Sequence, residues 1–520
     1  MNAPVRLTKE NIDDIKGSRV CLLSYDEGYV RQMIDEFGDG FADRIDTFVD
    51  YSGKGIERSV AGRVIKRLEP GEEVCLPEDT AFVITDDYHN EIFERFRYEI
   101  TTVSEHSERF VHPVYFYANR ETSYDLSYRA KYENTPLRDM ILFRSGPHAA
   151  AYVKGTDFSD NARAVFEYML ASGLNEKYEL VWLVKNPDDH KAVADRHKNV
   201  RFLSFDWSTS DDESERDAYY EALCLSKYIF FTDAYGFCRN VRGDQTRVQL
   251  WHGCGFKTRV NFVRCERRYE YMPVISPLYA DIHRRIYGLR GNQVLVTGYP
   301  KEDAVFHPRD DWRKMLGIRK AGRYIFWLPT FRKTEVAKLA EIDMYSLSGE
   351  TGLPVVDTME ELHQLDELLR RSDIILVLKL HPFQDSSLIH IDSCTNITFI
   401  ENHMLADHDI QINELLGHAD ALISDYSSVA VDYLLLDRPI AFTIDDIEEY
   451  EKGRGFVFEP IRDWLPGAEV RSFGDFLKFV EEIAEGIDST AEKRRAISDK
   501  MHSFHDDQSC RRLIEALGID

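Results

Sequence analysis

The sequence repeatedly places a short run of β-branched and aromatic residues before a turn and then a segment with helical periodicity. Examples of such runs are ELVWLV (179–184), IILVLKL (374–380) and ADALIS (419–424). Alternation of this kind is typical of βαβ units, in which consecutive strands lie parallel in one sheet. The chain is therefore predicted to be an α/β protein with parallel sheets.

The length of 520 residues exceeds what one hydrophobic core usually supports, which favours two or three domains. Residues 1–137 are predicted to form a small Rossmann-like accessory domain, with strands near 18–24, 44–50 and 81–87 and a polar, tyrosine-rich connector over about 104–138. Its first turn, SYDEGYV, lacks the glycines of a dinucleotide-binding loop, so a structural or docking role is favoured.

Two larger doubly wound domains are predicted over residues 138–308 and 309–520, joined by the charged, proline-containing segment HPRDDWRK (307–314). Helical patterns complete the chain from about Phe473. Two Rossmann-like domains that face each other across a cleft make up the GT-B architecture, in which the C-terminal half usually binds a nucleotide-diphosphate donor. The expected fold is thus GT-B with a small N-terminal Rossmann-like domain.

The formal net charge of −26 disfavours binding to nucleic acid, and it means that an anionic substrate has to be met by a local basic site. The eight cysteines show no CxxC pair or zinc-ligand spacing, so they are predicted to be reduced thiols. No apolar stretch approaches the roughly 20 residues of a membrane-spanning helix, and the first residues lack the apolar core of a signal peptide. A cytoplasmic location is expected.

Polar, reactive side chains cluster where several predicted strands end. The segments concerned are WHGCGFK (251–257), TGYPKED (297–303), LPTFR (328–332), LKLHP (378–382) and SDYSS (424–428). Ligands of open parallel sheets bind beyond the carboxyl ends of the strands. These segments are therefore predicted to surround one site.

SDYSS follows an apolar strand and opens an apolar helix. Ser427 and Ser428 would then present hydroxyl and backbone N–H groups to a phosphate at the helix N-terminus. The alternative is that Asp425, Ser427 and Ser428 only cap the helix, and the segment by itself does not decide between the two.

Two other segments offer cations to an anionic ligand. Lys379 and His381 alternate to the same face of one strand end, which suits a diphosphate, although a histidine there is also compatible with a structural role. LPTFR adds Thr330 and Arg332, and TGYPKED adds Lys301.

His252 is the candidate general base, since a neutral imidazole can take a proton from a hydroxyl at neutral pH. Gly253 and Gly255 would let a ligand approach the backbone closely. The alternative is that His252 packs beside Trp251 in a turn.

Taken together, these segments resemble the CDP-glycerol:poly(glycerophosphate) glycerophosphotransferases, the teichoic-acid primase and polymerase family. That family shows WHG-x-x-x-K, G-[YN]-P-R-x-D, PTFR, an LHP-type histidine and a DYSS-x-x-x-DY-x-x-L-x-RP block. This chain has WHGCGFK, GYPKED, PTFR, KLHP and SDYSSVAVDYLLLDRP (424–439), followed by DDIEEYEKGRGF (445–456). The likeness covers about residues 138 to 470.

The resemblance implies that His252 activates the acceptor hydroxyl and that His381 polarises the donor diphosphate. The residues implied or proposed to line the substrate site are Gly253, Cys254, Gly255, Phe256, Lys301, Pro329, Thr330, Arg332, Lys379, Asp425, Ser427, Ser428 and Asp432. Lys301 departs from the arginine of the family motif, which keeps the charge but loses the bidentate fork. The loop sequence CGF departs from the TPL of many members, which puts the choice of donor or acceptor in question.

The implied reaction moves a polyol phosphate, most simply glycerol phosphate, from a CDP-polyol to a hydroxyl of a teichoic-acid-like or capsular polymer, with release of CMP. No cofactor and no structural metal are predicted, while a loosely bound Mg²⁺ on the diphosphate is compatible with the chemistry. The acceptor is expected to be an anionic polyol-phosphate or glycan, either soluble or lipid-linked. Basic segments at 263–271 and 283–290 are compatible with peripheral membrane contact or with solvated helix faces.

Two other functions fit the sequence less well. One is a GT-B glycosyltransferase or related sugar epimerase that uses a nucleotide sugar, against which the DYSS block argues. The other is a non-catalytic scaffold of a polymer-assembly complex, which would have no need for both His252 and His381.

Overall fold

The computed structural model describes most of the chain. It covers residues 4–15, 18–23, 27–49, 59–60, 63–64, 66–68, 73–75, 79–85, 101–103, 113–146, 155–232, 242–258, 269–329, 350–379, 391, 393–453 and 455–520. Thr330, Arg332 and His381 lie outside these residues, as does most of the basic segment 263–271.

The N-terminal region contains a six-stranded parallel sheet. Its strands, in spatial order, are Val5–Arg6, Val114–Phe116, Thr80–Ile84, Arg19–Leu23, Ile45–Val49 and Lys66–Leu68. Three of the strands lie where the sequence predicted them. The helical elements beside them are Ile12–Ile15, Glu27–Phe37 and Asp39–Ala42, and short pairs join Ser59–Val60 to Arg63–Val64 and Glu73–Cys75 to Thr101–Val103.

The predicted connector over 104–138 contains regular secondary structure in its described part. This stretch contributes the strand Val114–Phe116 and then the helix Arg120–Tyr132, whose first turn is capped by the Asn119 side chain accepting from Thr122 N at 2.8 Å. A tyrosine of this helix packs against the next part of the chain: the ring of Tyr128 stacks on that of Tyr220 with centroids 4.4 Å apart. Aromatic stacking against the next part of the chain stabilises a helix whose own sequence is mostly polar.

The second sheet is fully parallel, and its strand order reverses beside its first strand. In spatial order its strands are Val200–Ser204, Glu179–Val184, Arg138–Arg144, Ser226–Phe231 and Thr246–Gln249, and the short parallel pair Met272–Val274 and Val294–Val296 follows in the chain. Helical segments alternate with these strands: Asp160–Ala171, Leu174–Glu176, Pro187–His190, Lys191–Arg196, Phe205–Thr209, Glu213–Leu225, Pro277–Tyr287, Gly291–Gln293 and Pro300–Phe306.

The third sheet repeats this arrangement with six parallel strands. In spatial order they are Ile397–Phe399, Ile374–Leu378, Arg323–Leu328, Ala421–Ser424, Ile440–Thr443 and Ala468–Val470. Its helical segments are Trp312–Met315, Met359–Arg371, Asn402–Asp407, Ile412–Leu416, Val429–Tyr433, Leu434–Leu436, Ile447–Gly453 and Ile461–Trp464. In the second and third sheets the first strand in the chain, Arg138–Arg144 or Arg323–Leu328, has later strands on either side, which creates a crevice beyond its carboxyl end.

Three helices, Phe473–Glu485, Ala491–Met501 and Ser509–Ala516, complete the chain. The last of them leaves the third sheet and packs on the second, where Leu513 and Ile514 join the core that also contains Phe143 and Trp182. Ser509 N and Cys510 N donate to the two carboxylate oxygens of Asp303 at 2.8 Å each, so the first turn of this helix is held by a residue between the two sheets. The predicted boundary at residue 309 stays a prediction.

In the part of the chain that is described, no helix is long and apolar enough to cross a membrane. Cys21, Cys224, Cys254, Cys394 and Cys510 are free thiols in the structure.

Candidate functional site

The loop that carries His252 begins directly after the edge strand of the second sheet. Trp251 adopts φ +54°, and its N–H donates to Gln249 Oε1 at 3.0 Å. Asn161, fully buried on the neighbouring helix, donates its side-chain amide to Trp251 O at 2.9 Å. The indole of Trp251 contacts the imidazole of His252, with centroids 4.3 Å apart. The loop is thus fixed on both sides before any ligand binds.

Gly253 brings this loop against Ser428, which follows a strand of the third sheet. Its φ is +147°, and a Cβ placed there would lie 2.8 Å from Ser428 Oγ. A Cβ on Gly255 would lie 3.5 Å from Ser428 Cβ. A side chain at Gly253 would push the two segments apart, so glycine is required for this close approach. Two motifs separated by about 170 positions therefore meet, as the sequence predicted.

Lys301 connects the same two segments through its side chain. Its Nζ donates to His252 O at 2.7 Å and pairs with Asp432 Oδ2 at 3.2 Å, while Asp160 Oδ1 lies 4.0 Å away. Burial alone would lower the pKa of Lys301, but Asp432 and Asp160 outweigh it and raise the pKa above its ordinary value. The ammonium is therefore permanently charged and holds the His252 backbone beside the Asp432 carboxylate.

The Lys301 backbone is held as well. Its N–H donates to Asn161 Oδ1 at 3.0 Å, so the one Asn161 side chain positions both the His252 loop and the Lys301 segment. The polar run Ser159, Asp160 and Asn161 lies at the start of the helix Asp160–Ala171. In the structure the Ser159 side chain makes no capping bond and Asp160 has φ +60°. The polar run SDN is visible in the sequence, but its role in the site follows from its contacts with Trp251 and Lys301, which only the fold brings close to it.

Asp432 lies at the centre of the carboxylates. It is 1% exposed, and its Oδ2 also accepts from Asn413 Nδ2 at 3.4 Å. Glu302, 2% exposed, lies nearby, and burial followed by the charge of Asp432 raises its pKa well above the ordinary value. Within the described residues, Asp432 Oδ1 and Glu302 Oε1 have no hydrogen-bond partner. Glu302 and Asn413 were not predicted from the sequence.

The side chains of Cys254 and Phe256 point into the protein core. Cys254 Sγ lies 3.7 Å from Tyr299 Oη and 3.8 Å from a nitrogen of His283, and burial raises the pKa of its thiol well above the ordinary value. Phe256 packs against Phe442, with centroids 5.9 Å apart. Contact of either residue with a substrate would therefore come from the backbone, and it stays a prediction.

Three predicted residues of the third sheet follow adjacent strands at one edge. Pro329, Lys379 and Asp425 come directly after Arg323–Leu328, Ile374–Leu378 and Ala421–Ser424. Burial lowers the pKa of Lys379 to about 8, and the Asp425 side chain is fully buried. The structure thus brings together the strand ends that the sequence selected, although the contacts of these residues with a ligand stay predictions.

Ser428 precedes the short helix Val429–Tyr433 but does not cap it with its side chain. Its carbonyl accepts from Val431 N at 2.9 Å and from Asp432 N at 3.1 Å, while the hydroxyl lies against Gly253. The capping alternative is therefore wrong for Ser428, whereas the role of Ser427 stays open.

A cavity of about 550 Å³ lies beside His252 and Lys301, between the second and third sheets. One wall comes from the helix Asp160–Ala171, and the opposite wall from Gln411 and the helix Ile412–Leu416. Across the described ranges, no group of three or more histidine, cysteine or carboxylate side chains is arranged to hold a metal ion.

The family described as CDP-Glycerol:Poly(glycerophosphate) glycerophosphotransferase matches residues 137–518, nearly three quarters of the chain. The chain belongs to this family. Its predicted membership is thereby confirmed.

Similar proteins in the family make or extend teichoic acids. The chain is 24% identical over 380 residues to the teichoic acid ribitol-phosphate polymerase TarL of Staphylococcus aureus, covering 69% of this chain and 60% of the relative. It is 27% identical over 314 residues to the teichoic acid glycerol-phosphate primase of Bacillus subtilis, covering 56% and 74%. The chain spans less than two thirds of the length of several polymerases that it matches, for example 46% of a Staphylococcus epidermidis poly(glycerol phosphate) polymerase.

Solved structures of the wall teichoic acid polymerase TagF share the fold. One covers 77% of this chain and 93% of its own, with a TM-score of 0.57 and 22% identity. Another, a variant soaked with CDPG, aligns with a TM-score of 0.56 and 21% identity, covering 77% and 92%. The α/β fold with parallel sheets is therefore common to this family member and to TagF.

Proposed function

We propose that this protein transfers a polyol phosphate, glycerol phosphate first among the candidates, from a CDP-polyol to a hydroxyl of a teichoic-acid-like or capsular polymer, and releases CMP. The observation that carries the proposal is the contact of the His252 loop with the Ser428 and Asp432 block, held together by Lys301. The names of the relatives, ribitol-phosphate polymerase and glycerol-phosphate primase, support this class of reaction.

In the proposed reaction His252 takes the proton of the acceptor hydroxyl as its oxygen attacks the β-phosphorus of the donor. A new P–O bond forms to the acceptor, the bond from the β-phosphorus to the bridging oxygen breaks, and CMP leaves with that oxygen. Positioning and neutralisation of charge would supply most of the rate enhancement, as in other phosphoryl transfers. His381, Thr330 and Arg332 are proposed donor contacts from the family motif, together with Pro329, Lys379, Ser427 and Ser428.

We further propose the GT-B architecture for the second and third sheets with their helices. The donor would bind on the third sheet, and residues 1–137 would form a small Rossmann-like accessory unit. The matching reversal of strand order in the two sheets and the six-stranded parallel N-terminal sheet support this assignment. A Mg²⁺ ion bound loosely to the donor diphosphate is part of the proposal, because Mg²⁺ commonly binds the phosphates of such substrates.

A cytoplasmic location with peripheral contact to an anionic membrane is the proposed setting for a lipid-linked acceptor. Arg285 and Arg290, exposed at and just beyond the helix Pro277–Tyr287, are the described basic residues that support it. Flotation with vesicles of phosphatidylglycerol and phosphatidylcholine tests it, and failure to float at low ionic strength would exclude it.

The first experiment measures CMP release from CDP-glycerol, CDP-ribitol and UDP-sugars with a short polyol-phosphate oligomer as acceptor. Acceptor-dependent CMP from one CDP-polyol is expected. Activity with a UDP-sugar alone would assign the protein to the glycosyltransferases, and no release with any donor would favour the scaffold role.

The His252→Ala variant tests the proposed base. We expect kcat to fall by about 10²–10⁴-fold because proton transfer in the transition state loses its acceptor. The affinity for the CDP-polyol, measured by calorimetry, should stay near that of the wild type. His403→Ala, at a half-exposed histidine elsewhere on the surface, is the matched control and should turn over normally. Near-normal turnover of His252→Ala would contradict the assignment.

A further inference from the structure

The cavity beside His252 is lined by the helix Asp160–Ala171, whereas Ser428 and Asp432 are not among its lining residues. Its volume of about 550 Å³ is within the range of sites for small organic ligands. Asp160 N donates to Gln411 Oε1 at 3.2 Å, which joins the wall from the second sheet to the wall from the third. A ligand in this cavity would contact both halves of the molecule and would lie next to His252.

The cations that line the cavity are already neutralised by carboxylates. Lys301 pairs with Asp432, and Arg163, which is 5% exposed, pairs with Glu167 at 2.7 Å and with Asp409 at 2.6 Å. His307 lies 2.7 Å from Asp507. A phosphate entering the cavity would have to compete with these carboxylates for Lys301 and Arg163.

The carboxylates in the cavity wall outnumber its lysine and arginine. Asp160, Glu167 and Glu414 line it, against Lys301 and Arg163. Their charge disfavours a phosphate group inside the cavity, since like charges at short distance in a partly buried site repel strongly.

Hydroxyl and amide groups make up much of the remaining wall. Thr156, Ser159, Thr232, Gln411 and Asn413 contribute them. Thr232 is 2% exposed, and its hydroxyl is buried without a hydrogen-bond partner among the described residues. A buried hydroxyl without a partner costs free energy that a ligand hydroxyl can recover.

We propose that this cavity binds the uncharged, hydroxyl-rich end of the acceptor, a terminal polyol or sugar, and leaves the acceptor phosphates outside. The inference rests on the proposed transfer reaction, in which the acceptor hydroxyl has to reach His252. Beyond that reaction, the inference specifies where the end of the acceptor lies and which chemical class of acceptor end the cavity selects.

Equilibrium binding to the full chain tests the inference without turnover. The probes are two fluorescent poly(glycerol phosphate) oligomers of equal length, one ending in glycerol and the other in a phosphate monoester. We expect the glycerol-ended oligomer to bind at least tenfold more tightly. Equal affinities, tighter binding of the phosphate-ended oligomer or no binding of either would overturn the inference.

Two variants locate the binding in the cavity. Ala164→Leu fills it from the helix Asp160–Ala171 and should weaken binding of the glycerol-ended oligomer at least tenfold, whereas Ala171→Leu, at an exposed position of the same helix, should bind as the wild type does. Thr232→Val removes the buried hydroxyl and should weaken binding at least threefold. Unchanged binding in both Ala164→Leu and Thr232→Val would place the acceptor elsewhere.

A third variant is expected to bind an oligomer more tightly, which is a result that misfolding would not produce. Glu167→Gln removes one negative charge and leaves Arg163 paired with Asp409, so the phosphate-ended oligomer should bind at least threefold more tightly. No gain would contradict the charge argument. Oligomer binding as predicted without CMP release from any donor would refute the transfer reaction but keep the cavity assignment. CMP release together with unselective oligomer binding would support the transfer reaction and refute the cavity assignment.

Discussion

Lys301 shows how one residue can decide the geometry of a site. It takes the place of the arginine in the family motif, and its single ammonium group reaches both the His252 carbonyl and the Asp432 carboxylate. An arginine would offer two parallel donors to a carboxylate, whereas lysine acts as a point charge. In this protein the lysine therefore serves as a bridge between the two halves of the site.

Lys301→Met should remove that bridge. Asp432 would be left buried without its cation, which costs about 3–5 kcal/mol of unfolding free energy. Urea unfolding at pH 7.5 measures the loss, and kcat should fall with it because the His252 loop is released. Lys177→Met, which breaks an exposed pair with Asp520, is the matched control and should change stability little. A Lys301→Met protein as stable as the control would show that Asp432 does not depend on this lysine.

Lys379 gives the site a predicted pH dependence. Burial lowers its pKa to about 8, so the unliganded protein loses this charge between pH 7 and 9. If Lys379 binds the donor diphosphate, donor affinity should fall about tenfold over that interval, since only the protonated form attracts the anion.

Calorimetric titration with CDP-glycerol at pH 7, 8 and 9 measures this effect. Lys379→Arg, which stays charged throughout the range, should show a flat profile. An equally steep profile in the arginine variant would assign the pH dependence to another group.

Among the secondary-structure elements, the C-terminal helix Ser509–Ala516 has its first turn capped by a single carboxylate. Asp303 accepts from the N–H groups of Ser509 and Cys510, in the manner of an N-terminal cap supplied from a distant part of the chain. The acidic residue of the G-[YN]-P-R-x-D motif is thus structural in this protein, next to a lysine that belongs to the site.

Asp303→Ala should therefore destabilise the fold by about 1–2 kcal/mol, as the loss of a good helix cap does. The midpoint of urea unfolding measures it. Asp310→Ala, an exposed aspartate seven positions later, provides the control. Equal midpoints for the two variants would mean that the helix is held by Leu513 and Ile514 alone.

The elements that the sequence predicted well are the apolar strands, because their composition reports burial directly. The strand Ala468–Val470, in contrast, contains one β-branched residue and was not predicted. The helix Arg120–Tyr132 was missed for a related reason: it is polar, and the stacking of Tyr128 on Tyr220 that stabilises it joins residues about 90 positions apart.

The residues of the candidate site that belong to the sequence motifs could be predicted from the sequence. The five segments indicated the strand ends at which the site was predicted, and the structure brings Gly253, Lys301, Ser428 and Asp432 together. Asn161 and Glu302 could not be predicted, because their roles depend on neighbours that the fold alone supplies.

For the whole molecule, stability should fall in mild acid. His283 and His502 are both buried, and burial lowers the pKa of His283 to about 3 and that of His502 to about 4. An unfolded chain takes up these protons near pH 6.5 while the folded protein does not. The stability is thus fully present above about pH 6.5 and is lost as the pH falls towards the folded values.

His502→Gln tests this contribution. The glutamine amide can still donate to Val431 O, the partner of the histidine at 3.0 Å, but it does not titrate. Between pH 7 and 4.5 the variant should lose about 2 kcal/mol less unfolding free energy than the wild type. His363→Gln, at an exposed histidine, should follow the wild-type curve, and a His502→Gln curve that does the same would exclude the mechanism.

The chain passes between the second and third sheets twice, once near Trp312–Met315 and again between Ala491–Met501 and Ser509–Ala516. Two covalent crossings constrain relative motion more than one does, because sliding or separation of the sheets would stretch both segments at once. The motion that costs least is rotation about the line that joins the two crossings. Relative motion of the second and third sheets is therefore reduced to about one rotational degree of freedom, and a cut in either crossing would still leave the two halves covalently joined through the other.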